Sequence, residues 1–145
     1  MSSETSLILF KPDAIAKNLV GTVLARFQAA GFVVRGIKMM HLSDEILAEH
    51  YSHIADKPFF PSVRSFMQET PVIALALEGE NVITAVRDLL GPTDSLAAPA
   101  GSIRGDFGFK DGDAKMRNVC HASDSVEAAQ AELKRFFKDN EIFAY

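Results

Sequence analysis

Apolar side chains recur along this chain with two different periods, and the change from one to the other marks out its elements. Ser6 to Phe10 is a short apolar block closed by Lys11 and Pro12, which predicts a buried strand. From Asp13 to Ala30 the spacing becomes helical. Val20, Val23, Leu24 and Phe27 share one face, and Gly31 supplies the stop. Phe32 to Leu42, rich in branched and apolar residues, predicts a second strand. Ser43 is a suitable N-cap for a helix from Asp44 to Ile54, with Asp44 and Glu45 at its positive end. Pro58 and Pro61 bracket a turn, and Ser62 to Glu69 reads as another helix. Pro71 to Glu78 is a third strand, and Asn81 to Leu90 is a helix ended by Gly91 and Pro92.

Between Gly91 and Arg117 the periodic pattern disappears, and a loop of that length in a compact domain is usually functional. Asn118 to His121 predicts a short fourth strand. Asp124 to Lys138 predicts a helix carrying Val126, Ala129, Leu133 and Phe137 inward. This order suggests an α+β layer, one sheet with helices on one side. Among named motifs the best match is the ferredoxin-like βαββαβ sandwich, with a four-stranded antiparallel sheet. No linker, repeat or low-complexity tract interrupts residues 1–145, so a single domain is expected.

Composition narrows the chemistry. A formal net charge of -4 disfavours non-specific binding to nucleic acid or an anionic membrane. An anionic ligand must therefore be held by a local cluster of basic side chains. The single cysteine rules out an intrachain disulfide and fits a reducing cytoplasm. The amino end does not read as a secretory signal, and no apolar run approaches the roughly 20 residues of a membrane helix.

Neither a GxxxxGK[ST] run nor a GxGxxG turn is present, so any phosphate must be handled by side chains. The densest polar group is Arg117-Asn118-Val119-Cys120-His121-Ala122-Ser123-Asp124-Ser125. His121 stands at a strand end just before a helix start, a place that favours negative charge. Neutral imidazole is a nucleophile near pH 7 and can take up a phosphoryl group. Ser123 and Asp124 also suit ordinary helix capping, and a lone histidine also suits a satisfied core position. Alternation along the strand sends Cys120 to the opposite face from His121, into the core. Asn118 joins the site only if it still belongs to the loop. Lys11 directly follows a buried run, whereas Arg87 and Arg104 each read singly as solvated charges. Phe59 and Phe60 are adjacent between prolines; an exposed ring there would offer a platform for a nucleobase, but the residues alone favour two core aromatics in a bent turn. His50 and His53 share a helix side, with His41 nearby, but no third ligand has motif-like spacing, which argues against a metal site there.

Asn118-x-x-His121-Ala122-Ser123-Asp124 resembles the N-x-x-H-[GA]-S-D active-site pattern of nucleoside diphosphate kinases. The resemblance extends almost end to end. It includes Leu9-Phe10-Lys11-Pro12-Asp13, Glu49-His50-Tyr51, Lys57-Pro58-Phe59-Phe60, Leu77-Glu78-Gly79-Glu80-Asn81, Arg87, Gly91-Pro92-Thr93 and Gly101-Ser102-Ile103-Arg104-Gly105-Asp106-Phe107-Gly108.

The resemblance implies that His121 is the phosphorylated nucleophile. Lys11, Arg87, Thr93 and Arg104 would grip phosphates, Lys11 and Asn118 would contact sugar hydroxyls, and Phe59 would stack on the base. Tyr51 would lie beside the phosphate path, and Ser123 and Glu132 would orient His121. It also implies nucleoside di- and triphosphates as substrates, Mg2+ arriving with their phosphates and touching Asp124 through water, and a tetramer or hexamer. Two departures from the family pattern stand out. Extra residues lie around Lys110 to Lys115, placing Lys115 or Met116 where a small apolar residue is common, and Ser95 stands where many relatives have proline.

Overall fold

The computed structural model describes residues 3–145. Four strands form one antiparallel sheet: β1 (Ser3–Phe10), β2 (Val33–Met40), β3 (Val72–Glu80) and β4 (Cys120–Ala122), in the order β2-β3-β1-β4. This is the expected ferredoxin-like arrangement. β1 is central, pairing with β3 over its whole length and with β4 through Ile8, Leu9 and Phe10.

The helices are α1 (Pro12–Ala16), α2 (Val20–Ala29), α3 (Asp44–His50), α4 (Phe60–Met67), α5 (Val82–Leu90), α6 (Ile103–Phe107) and α7 (Val126–Phe136). They cover both faces of the sheet, not one as the order of elements had suggested. Ile8, Phe10, Leu75, Leu77 and Cys120 pack with Val23 and Phe27 of α2 and Val86 of α5. Leu7, Leu9, Ala74 and Ala76 point the other way and pack with Leu47 of α3, Phe66 of α4 and Phe136 of α7. A strand flanked on both faces must be apolar at every position. Leu7 to Phe10 meets that condition, since all four are fully buried.

Local differences from the sequence reading have identifiable causes. The helix expected over 13–30 is two helices, because Asn18 takes a left-handed backbone with φ of 57° and ends the first. The long loop contains α6, which is too short to show a helical period; Ser102 caps it by accepting the amide of Gly105. Ser43 caps α3 as expected, accepting from Ile46. The cap of α7 is Ser125, which accepts from Ala128, and not Ser123 or Asp124. Val126, expected inward, is 41% exposed at the first turn of α7. Gly91, with φ of 86°, closes α5 in a conformation that side chains rarely adopt.

Candidate active site

The carboxyl end of β1, the short strand β4, the carboxyl ends of α3 and α5 and the long loop converge on one cleft of about 390 Å³. Lys11, Tyr51, Arg87, Thr93, Arg104, Asn118, His121, Asp124 and Glu132 all line it, so the structure gathers residues spread over most of the chain. Ser123 is fully buried behind the cleft.

Strand alternation places the histidine. Cys120 and Ala122 face the core on the α2 and α5 side, and His121 projects from the opposite face of β4. Nε2 of His121 lies 3.1 Å from Oε1 of Glu132 on α7. Ser123 donates its hydroxyl to the same oxygen at 2.7 Å and accepts the amide of Leu7 at 3.0 Å. An ionised carboxylate only accepts, so Nε2 carries the proton and Nδ1 keeps its lone pair. Burial would raise the Glu132 carboxyl, but the bonds from His121 and Ser123 outweigh it and hold it below its ordinary value.

The cations are positioned by backbone groups. Lys11 is the N-cap residue of α1, and its Nζ donates to Oδ1 of Asn118 at 2.8 Å. Burial, with the neighbouring charge of Arg104, lowers the Lys11 ammonium to about 8. Arg104 is 8% exposed. It donates to the carbonyls of Asn118, Gly91 and Cys120 at 3.0, 3.0 and 2.7 Å. A guanidinium has five N–H groups, so this clamp leaves two for the cleft. Arg87 reaches the carbonyl of Ala122.

Asn118 belongs to the loop, because β4 begins at Cys120. Its amide donates to the carbonyls of Thr93 and Lys115 at 2.9 and 3.0 Å, tying two loop segments to Lys11. Tyr51 has its phenol pushed up to about 12 by burial and then by the charge of Glu132, so it stays neutral. The Cys120 thiol is likewise pushed up to about 12 by burial, which leaves it inert, as expected.

A second cavity of about 400 Å³ adjoins the cleft and shares Lys11, Tyr51 and Lys115 with it. It is mostly apolar, lined by Ile54, Phe59, Val63 and Phe66 together with Lys115 and Met116. Phe60 is 5% exposed and Phe59 is 54% exposed, so one ring of the pair does stand outside the core. The slot has the shape and chemistry of a site for a flat, aromatic ligand group.

Two groups had no role in the sequence reading. Asp13 is 1% exposed and accepts the amide of Val119 at 2.9 Å. His50 packs edge-on to the His121 ring at 4.7 Å and lies 3.0 Å from Nη1 of Arg135. Asp13 leaves no periodic signal, and His50 reads from sequence only as a helix-face residue. The ligand atoms of His50, His121 and Glu132 lie within 4.8 Å of one another. Two imidazoles and one carboxylate suit a softer ion than Mg2+, which prefers an all-oxygen set. His41 and His53 are outside this group.

A profile for nucleoside diphosphate kinase matches residues 4–142 of the chain. This chain belongs to the nucleoside diphosphate kinase family. The nucleoside diphosphate kinase of Parabacteroides distasonis is 44% identical over 98% of this chain and 90% of its own. That of Staphylothermus marinus is also 44% identical, over 98% of both chains. Among solved structures, the Aquifex aeolicus enzyme superposes with a TM-score of 0.89 at 40% identity, covering 97% of this chain and 99% of its own. A Halobacterium salinarum nucleoside diphosphate kinase in complex with CDP has a TM-score of 0.92 at 34% identity, covering 99% and 93%.

The segment from Lys110 to Lys115 packs against Ser95. Lys110 donates to the carbonyls of Ser95 and Arg104. The amide of Ser95 bonds the carbonyl of Ala114, and both residues are buried.

Proposed function

We propose that this chain is a nucleoside diphosphate kinase that passes the terminal phosphate of a nucleoside triphosphate, typically ATP, to a nucleoside diphosphate through His121. The observation that carries this reading is one histidine whose Nε2–H is held by Glu132, itself held by Ser123, in a cleft with Lys11, Arg87 and Arg104.

Nδ1 attacks the γ-phosphorus. A P–N bond forms, the bond to the β–γ bridging oxygen breaks, and the diphosphate leaves. A second diphosphate attacks in the reverse sense, which gives ping-pong kinetics. Glu132 stabilises the positive charge that the ring gains on phosphorylation, as a buried carboxylate does for a catalytic imidazole elsewhere. Lys11, Arg87 and the two remaining N–H groups of Arg104 face charge spread over the phosphoryl oxygens, where positioned cations supply most of the rate. Thr93 is placed to meet the outer phosphates, and Tyr51 lines the same path. Lys11 lies where the cleft meets the slot and is bonded to Asn118 in the cleft, and the two suit the ribose hydroxyls. Phe59 supplies a stacking face, which accepts any base.

Mg2+ carried by the nucleotide would neutralise phosphate charge. Asp124 is exposed on the cleft wall and offers a single hard oxygen donor, which fits contact through water. Residues 1–145 read as one catalytic domain, and the buried lone thiol suits a reducing cytoplasm. A tetramer or hexamer is also proposed. β2 is an edge strand carrying Ile37 and Met39, which are 50% and 58% exposed, the kind of edge that other copies cover. Among the described residues no helix is long and apolar enough to cross a membrane.

Incubation with γ-labelled ATP and no acceptor tests the reaction. The expected result is acid-labile, base-stable label that chases onto added diphosphates. His121→Ala should abolish both label and transfer, and appreciable activity in that variant overturns the assignment. A nucleotide sensor that binds without turnover would show ATP binding and no phosphoenzyme.

A further inference from the structure

Lys115 lies in the added segment, and its backbone is fixed: the carbonyl accepts from the Asn118 amide at 3.0 Å, and the flanking residues Ala114 and Met116 are bonded to Asp111 and Asp113. Arg117 anchors the end of the segment to Glu69 after α4, at 2.9 Å. The Lys115 side chain is exposed, and among the described residues it enters no ion pair. It borders both the apolar slot and the phosphate cleft.

We propose that Lys115 is a specificity-determining residue that reads the base and favours guanine. The inference rests on the kinase reading, since it assigns the slot to a nucleobase. A base stacked on Phe59 shares the slot with Lys115 and Met116. Of the polar groups around the slot, Lys11 donates to Asn118 and the Met116 carbonyl and is assigned to phosphate and sugar, and Tyr51 and Ser62 are single hydroxyls. The Lys115 ammonium is the free donor. Guanine presents O6 and N7 as adjacent acceptors, which is the pattern a lysine reads, whereas adenine replaces O6 with an amino donor that an ammonium cannot bond. The phosphate cleft already holds Lys11, Arg87 and Arg104, so a fourth cation adds least there.

The test compares GDP, IDP, ADP and CDP as acceptors from the labelled phosphoenzyme, and their dissociation constants by calorimetry, in the wild type, Lys115→Met and Lys115→Arg. Lys115→Met keeps the stem and removes the charge. The expected result is a wild-type preference for GDP and IDP over ADP, and a loss in kcat/KM for GDP about tenfold larger than for ADP in Lys115→Met. Lys115→Arg should retain the preference. An equal loss on all four nucleotides means a phosphate or sugar contact and overturns the proposal, as does no change on any. Absence of phosphoenzyme in the wild type would sink the kinase reading instead, and the calorimetric preference for GDP would still decide the role of Lys115.

Discussion

The carboxylate of Asp13 accepts the amide of Val119 at 2.9 Å, and Val119 is the one β-branched residue among the described residues with a left-handed backbone, at φ of 78°. The amide of Lys11 bonds the Val119 carbonyl at 3.0 Å, so the segment opening α1 holds both backbone polar atoms of Val119. The Cys120 amide returns to the Asn118 carbonyl at 3.0 Å and closes a three-residue turn. Such a backbone costs about 1–3 kcal/mol and persists only where its surroundings enforce it. Here it turns Asn118 toward Lys11 and starts β4 in the register that presents His121 to the cleft.

Asp13→Ala should therefore release the turn. We expect a stability loss of about 1–3 kcal/mol in urea unfolding, because a buried amide loses its acceptor. Phosphoenzyme formation should slow by at least about tenfold as His121 and Asn118 shift. Asp13→Asn, which keeps an acceptor oxygen, should lie between the two. Unchanged rates in Asp13→Ala would mean that the turn holds itself.

Glu132→Gln preserves shape but removes the charge and allows the amide to donate to Nε2. The proton would then move to Nδ1, the nitrogen proposed to attack. Phosphoenzyme formation measured by rapid quench should fall by roughly 10²–10⁴, as when a histidine is locked in the wrong tautomer. Ser123→Ala should cost less, about tenfold, because Glu132 keeps His121.

Lys11 titrates at about 8 before substrate binds. Its charge is present below that value and lost above it, so kcat/KM should decline on the alkaline side with that free-enzyme pKa. Bound phosphate favours the charged form, so kcat should hold to higher pH. Lys11→Arg should be slower and lack the alkaline limb, since arginine does not deprotonate.

His50 is lowered to about 3, first by burial and then by the neighbouring charge of His121, while Glu132 pulls the other way and Arg135 and Lys11 add to the fall. The unfolded chain takes up this proton near 6.5 and the folded chain does not, so the stability is complete above that pH and is lost as pH falls toward 3. The loss should be roughly 2 kcal/mol between pH 6.5 and 5. His50→Gln should flatten this slope in urea titrations at the two pH values; an unchanged slope would place the acid sensitivity elsewhere.

Phe59→Ala should weaken nucleotide binding by about 1–3 kcal/mol through lost stacking. The ring is 54% exposed, so the unfolding midpoint should barely move. A large stability loss would show that the ring serves packing instead.

Much of this was legible in the chain. Leu7 to Phe10 is buried on both faces and reads as a strand from its unbroken apolar run. At 59 and 60 the residues alone favoured two core rings, and the structure buries Phe60 but leaves Phe59 outside. Cys120 and His121 separate across β4 by alternation alone. What stayed hidden has local causes too small for periodicity, such as the left-handed Asn18 and the five-residue α6.

The sequence by itself determined which residues are chemically capable and on which elements they lie, since period, turn residues and motif spacing are local properties. Only the tertiary structure decided how they are used. Ser123 could cap a helix or hold Glu132, and the choice fell to packing of α7 against β1, with Ser125 taking the cap. Arg104 read as a surface charge and became a buried clamp on three carbonyls. Asn118 joined the site because Asp13, more than a hundred residues earlier, fixes the turn beside it. Each of these choices depends on which groups meet after the sheet closes, and that is a long-range outcome no window of residues contains.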